Sequence, residues 1–198
     1  INIDLNKLGF KHKNTLLITA AGTSYYAAMV GKYWIEHIAD LPVIIDLASE
    51  YRYRKPSVFG QSAMLVISQS GESLDTLMAL RHGKKLGLST NAIVNVEDST
   101  IDREVDYSLY TRVGAEIGVA STKAFTQQVL TGRIMAESLK GTPSYGELRT
   151  KFSLLAHRLE VLLSQVDKIK KIAGYRPDLT LLIEYKLFNF NKFKLFFS

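Results

Sequence analysis

Cysteine is absent from this 198-residue chain, and proline and histidine occur four times each. Without cysteine there are no disulfides, no thiolate metal sites and no cysteine nucleophile, which fits a reducing compartment. The histidines (His12, His37, His82, His157) are too scattered to gather a metal, so neither a metal nor another cofactor is expected. No apolar run approaches the ~20 residues that span a bilayer, and no membrane partner is expected. The opening Ile1-Asn2-Ile3-Asp4 has neither the basic flank nor the apolar core of a signal peptide.

Charge of one sign is also scarce over most of the chain. The net charge is +6, but residues 1–146 carry 15 basic against 14 acidic side chains, whereas 147–198 carry 10 against 5. The basicity therefore belongs to the C-terminal quarter and reads as a solvated helix face and a basic tail. A nucleic-acid footprint would cluster basic side chains on one face beside groove-reading partners. With 46% apolar and 22% charged residues the chain has a globular composition, and its length suits one large domain or one domain plus part of a second.

What is present is an alternation of short apolar runs with amphipathic stretches. Thr15–Ala20, Pro42–Leu47, Ala63–Ile67, Thr90–Val96 and Tyr107–Tyr110 read as strands. Helices are expected over Tyr25–Ile38, from Ser73 to Leu86 with Gly87 as C-cap, and over Ser121–Leu139. Ala48–Ser57 reads as a polar turn or short helix, and a turn is expected at Glu97–Thr100. Met29 and Trp34 read as core residues and His82 as a surface residue. This pattern predicts an α/β fold, a doubly wound parallel sheet flanked by helices, over residues 15–145 after a lead-in at 1–14.

From Leu148 a stripe of Leu148, Phe152, Leu155, Leu159, Leu162, Val166, Ile169 and Ala173 steps by alternating fours and threes. It predicts a long connecting helix over 146–176, docked on a neighbouring domain. Thr180–Ile183 opens like another buried strand. Beyond it the composition breaks, and residues 181–198 hold five of the nine phenylalanines without turn or cap. That degenerate tail reads as an aggregation hazard rather than as a domain.

Three loops fall where open α/β sheets bind ligands, past strand ends and at helix starts. They are Gly22-Thr23-Ser24, Ser68-Gln69-Ser70-Gly71-Glu72-Ser73 and Val119-Ala120-Ser121-Thr122. Each sets Ser/Thr hydroxyls at a helix head, where unpaired N–H groups and a partial positive charge favour an anion. Three such ends around one cleft would hold a phosphate without a lysine, and Gln69 with the remaining hydroxyls would read a polyol. Each loop alone is equally what an N-cap provides, with Ser70 or Ser73 acting beside Glu72.

Competing motifs fail: Ser68 and Glu72 flank Ser70 where a hydrolase elbow needs glycines, and no P-loop or GxGxxG occurs. Glu116 either faces the cleft or braces its loop. Tyr51-Arg52-Tyr53-Arg54-Lys55 is either an anion patch or a solvated or interface segment.

Thr15–Ser24 (TLLITAAGTS), Ala48–Arg54 (ASEYRYR), Ser68–Leu77 (SQSGESLDTL) and Glu116–Thr126 (EIGVASTKAFT) resemble the sugar isomerase (SIS) domain. More narrowly they are similar to the first of the two SIS domains of the glucosamine-6-phosphate synthases, over roughly residues 10–180. That resemblance implies sugar-phosphate contacts at Thr23, Ser24, Ser68, Gln69, Ser70, Ser73, Val119 (through its backbone) and Ser121. Phosphate would fall to Ser68, Gln69, Ser70 and Ser73 with Thr23 beside them, and sugar hydroxyls to Ser121 and Val119. Ala21 stands where the family often has Cys, and Ser73 where it commonly has Thr.

The family joins a glutaminase domain to two SIS domains, and ammonia released from glutamine converts fructose 6-phosphate into glucosamine 6-phosphate. On that resemblance no glutaminase domain is expected within these residues, and 177–198 reads as the truncated, frameshifted start of the second SIS domain. The acid/base glutamate and the sugar-handling lysine lie in that missing half, so no catalytic residue is assigned. The resemblance implies a cytoplasmic chain that binds fructose 6-phosphate or glucosamine 6-phosphate without turning it over. Its expected partners are a second copy or the missing synthase domains. A split synthase and a non-enzymatic sugar-phosphate sensor remain alternatives.

Overall fold

The computed structural model describes residue 10 and residues 13–54, 61–116, 121–141, 145–165 and 171. The chain divides into two compact units, Ile1–Pro143 and Ser144–Ser198. The first unit is built on β1 (Thr15–Ala20), α1 (Gly22–Ala39), β2 (Val43–Leu47), α2 (Ala48–Tyr51) and β3 (Ser62–Ser68). It continues through α3 (Leu74–Lys85), β4 (Ser89–Val94), α4 (Thr100–Glu104), β5 (Tyr107–Tyr110) and α5 (Lys123–Leu139). The strands form one sheet in the order β2-β1-β3-β4-β5, every pair parallel.

Why these runs pair centrally follows from their side chains. All seven residues of β3 are buried, as a strand covered on both faces requires, while Ile44 and Leu47 of the edge strand β2 stay exposed. Burying Met64, Leu65, Val66 and Ile67 contributes about 1.5–3 kcal/mol each. Strand pleating sends alternate residues to opposite faces. Leu16, Ile18, Ala20, Ala63, Leu65 and Ile67 pack with Ala28 and Ile35 of α1 and Met135 and Ala136 of α5. Leu17, Met64 and Val66 pack with Tyr51 of α2, Leu77 and Leu80 of α3 and Ile101 of α4. The doubly wound sheet read from the sequence is the fold observed.

Four local readings are corrected. Phe10, inside the expected lead-in, is buried in the first of these clusters. Met29 is 43% exposed, because the inward face of α1 is made of small residues. There α5 comes so near that a Cβ on Gly132 would lie 3.4 Å from the Cα of Gly31, and the larger side chains turn outward. Trp34 does pack against the core. His82 is half-buried, bonded to the Arg54 carbonyl at 3.0 Å and edge-on to Tyr51. β4 ends at Val94 rather than Val96, and the expected turn after it leads into the short helix α4.

In the second unit α6 spans Tyr145–Leu163. Along the predicted stripe Leu155 and Leu162 are about half exposed, at 51% and 52%. Ser164 and Gln165 follow as a turn; beyond them the expected connecting helix, Lys171 apart, and all of 177–198 lie outside the described residues. Among the described residues no helix is long and apolar enough to cross a membrane.

Candidate functional site

The strand order reverses its direction of growth between β1 and β3. From β1 the chain passes through α1 to β2 on one side, and from β3 through α3 to β4 on the other. Helices α1 and α3 therefore leave adjacent strands toward opposite faces and open a crevice at the strands' carboxyl ends. Ala20 pairs in register with Ile67, so the first two predicted loops emerge side by side.

The first loop enters α1 through Gly22, whose φ of +56° lies in the left-handed region that favours glycine. Ala21 is the N-cap residue and gives no side-chain cap, so the opening N–H groups of α1 have no side-chain acceptor from it. Thr23 is half-buried, and its hydroxyl has no partner among the described residues. Ser24 is buried, with Oγ accepting from Gln128 Nε2 of α5 at 3.0 Å. That bond joins the first turn of α1 to α5 across 104 residues of sequence.

In the second loop the hydroxyls use their lone pairs internally. Ser68 Oγ accepts from the Gly71 N–H and Ser70 Oγ from the Glu72 N–H, both at 3.1 Å. Ser73 Oγ accepts from the Thr76 hydroxyl, also at 3.1 Å. A hydroxyl has one donor hydrogen besides its lone pairs, so three O–H groups remain to donate at the head of α3. Ser73 occupies the N-cap position without making a side-chain cap. Glu72 is turned away: it accepts the Thr100 N–H at 2.7 Å and caps α4. That bond, reinforced by Thr100's own hydroxyl and by Arg103, holds the Glu72 carboxyl below its ordinary range. The capping explanation offered for Ser73 with Glu72 therefore does not describe this loop, and the start of α3 stays open. Gln69 is half-buried, its side-chain amide unpartnered among the described residues.

The third loop differs. Glu116 Oε2 accepts the Ala124 N–H at 2.9 Å, and Oε1 lies 3.4 Å from the N and Oγ1 of Thr122. The buried Lys123 Nζ donates to the Ala115 carbonyl at 2.6 Å. Glu116 is the bracing carboxylate, not a cleft-facing one, and two open helix ends replace the three expected. Ser121 is half-buried at the head of α5, and Val119 lies outside the described residues.

The Tyr51–Arg54 segment is not a free anion patch. Arg52 pairs with Asp75 at 3.1 Å and Arg54 with Asp46; Lys55 lies outside the described residues. Tyr51 is buried, and burial with the nearby Asp46 pushes its phenol up to about 12. No group of three or more His, Asp or Glu that could hold a metal occurs among the described residues. Sequence reasoning missed Asn95, Ser99, Lys123 and Gln128. A polar residue interrupting the apolar run Ala92–Val96 was the available signal for Asn95.

The profile of the SIS domain matches residues 9–138. The chain is 43% identical over 179 residues to glutamine–fructose-6-phosphate aminotransferase [isomerizing] of Clostridium tetani, covering 87% of this chain and 29% of that protein. It is 46% identical over 168 residues to the protein of the same name in Chlorobaculum tepidum, covering 82% and 27%. Among solved structures it superposes on the C-terminal domain of glucosamine-fructose-6-phosphate aminotransferase from Francisella tularensis. There the TM-score is 0.77 at 38% identity, with 86% of this chain and 50% of that one covered. This chain thus spans less than a third of the curated relatives' length.

Proposed function

The chain belongs to the SIS domain family, and from that premise we propose that it binds a sugar phosphate, fructose 6-phosphate or glucosamine 6-phosphate. In this reading it is the first sugar-phosphate-binding half of the isomerising part of a glutamine–fructose-6-phosphate aminotransferase, working in the cytoplasm on amino-sugar synthesis. The observation that carries it is the pair of open helix starts, α1 and α3, side by side at the carboxyl ends of adjacent strands and lined with hydroxyls. Neutral donors with two helix dipoles suit a phosphate dianion. Thr23, Ser68, Gln69, Ser70 and Ser73 would hold the phosphate; Ser121 and the Val119 backbone would meet sugar hydroxyls, with Ser24 beside Thr23.

Alone, the chain is proposed to bind without turnover. Aldose–ketose isomerisation needs a positioned acid and base, and the two carboxylates of the loops, Glu72 and Glu116, are each committed to a helix start. Catalysis would require the further domains of the longer relatives or a second copy of the chain.

The test is a thermal melt with fructose 6-phosphate, using fructose as control. Ligand at ~100 times its dissociation constant adds about 2.7 kcal/mol, a rise of roughly 5–10 °C for this size. A rise with the phosphorylated sugar alone is expected. No rise, or an equal rise with fructose, would sink the reading.

A further inference from the structure

We propose that Asn95 is a positioning residue that fixes the third loop of the site against the second, and so sets the sugar subsite relative to the phosphate subsite. The proposal rests on the sugar-phosphate reading above. Asn95 is the first residue beyond β4. Its backbone N–H donates to the Gln69 carbonyl at 3.2 Å, in the middle of the second loop. Its side chain works in the opposite direction, toward the segment that follows β5. There Oδ1 accepts the Val113 N–H at 2.8 Å and the Thr111 hydroxyl at 3.1 Å, and Nδ2 donates to the Gly114 carbonyl at 2.9 Å.

The segment so gripped has a shape that needs holding. Arg112 has a φ of +51° and Gly114 one of +70°, and a non-glycine residue in the left-handed region persists only where its surroundings over-determine it. From Gly114 the chain of contacts continues to the head of α5. Ala115 takes the Lys123 ammonium and Glu116 takes the Ala124 N–H. One residue, through its backbone on one side and its side chain on the other, therefore links Gln69, beside the hydroxyls of Ser68 and Ser70, to the segment that leads to Ser121.

The chemistry selects an amide. Alanine removes all three side-chain bonds. Aspartate keeps acceptors for Val113 and Thr111 but sets an oxygen against the Gly114 carbonyl where a donor is needed. Both variants keep the backbone bond to Gln69, so the second loop retains its tie while the third loses its own.

The test titrates the full chain and its Asn95→Ala and Asn95→Asp variants with fructose 6-phosphate, inorganic phosphate and fructose. In Asn95→Ala, inorganic phosphate should bind within roughly two-fold of the parent while fructose 6-phosphate weakens by about ten-fold or more. Asn95→Asp should fall between, and it carries the same comparison if the alanine variant does not fold. Equal losses for both ligands, or no loss for either, would overturn the proposal. A parent chain that binds neither phosphate would instead refute the sugar-phosphate reading. Amide exchange then decides the positioning role: Asn95→Ala should speed exchange at Val113 and Ala124 and leave Met64–Ile67 unchanged, and unaltered exchange at Val113 and Ala124 would overturn it.

Discussion

A Cβ placed on Gly71 would lie 2.0 Å from Oγ of Ser99 and 2.4 Å from its Cβ. Gly71 also has a φ of +68°, so the position demands glycine twice, for its backbone angle and for the approach of Ser99. Its N–H donates to Ser68 Oγ and its carbonyl accepts the Ile101 N–H at 3.0 Å. The second loop is thereby pressed onto the head of α4 while its hydroxyls stay at the head of α3.

Gly71→Ala should destabilise the chain by about 1–3 kcal/mol and abolish the melting shift with fructose 6-phosphate. Adding Ser99→Gly restores space but not the left-handed angle, so the double variant should recover only part of the loss. Urea titration of the three variants measures this. Parental stability in Gly71→Ala would show that the loop does not depend on this contact.

Glu116 supplies the cap that Thr122, at the N-cap position of α5, does not make with its own side chain. Glu116→Ala should cost about 1 kcal/mol, and Glu116→Gln less, since one acceptor oxygen remains. Because the carboxylate is committed to α5, neither variant should weaken inorganic phosphate. A large loss of phosphate affinity in Glu116→Gln, at unchanged stability, would mean that this side chain reaches the ligand after all.

Two phenols should shape the alkaline limb of stability. Tyr51 and Tyr110 are each raised from 10.0 to about 12, first by burial and then by neighbouring carboxylates, Asp46 for one and Asp102 for the other. The unfolded chain loses these protons first. The contribution is therefore fully present below pH 10 and is lost as pH rises through about 12. Tyr51→Phe and Tyr110→Phe should each flatten that limb. They should differ at neutral pH, because the buried Tyr51 hydroxyl has no partner among the described residues, whereas Tyr110 donates to Asp102 at 3.0 Å. Tyr51→Phe should be neutral or stabilising and Tyr110→Phe destabilising. Denaturant midpoints between pH 7 and 12 decide it, and an unchanged limb in both variants would refute the assignment.

The alternation of buried runs such as Thr15–Ala20 and Ala63–Ile67 with amphipathic stretches determined the α/β class and the positions of the five strands among the described residues, because burial of one helix face leaves a period in the sequence and burial of both strand faces leaves a continuous apolar run. The hydroxyls of Thr23, Ser68, Ser70 and Ser73 were legible for a related reason, since strand-end loops and helix starts are local. Tertiary structure alone decided how those loops are held. Ser24 meets Gln128, Gly71 meets Ser99, Glu72 caps a helix 28 residues away, and Asn95 spans two loops. Such bonds join single residues far apart in the chain and repeat with no period. Only the assembled sheet brings their partners within reach, and only then does Glu116 emerge as a cap on α5 while the starts of α1 and α3 stay without one.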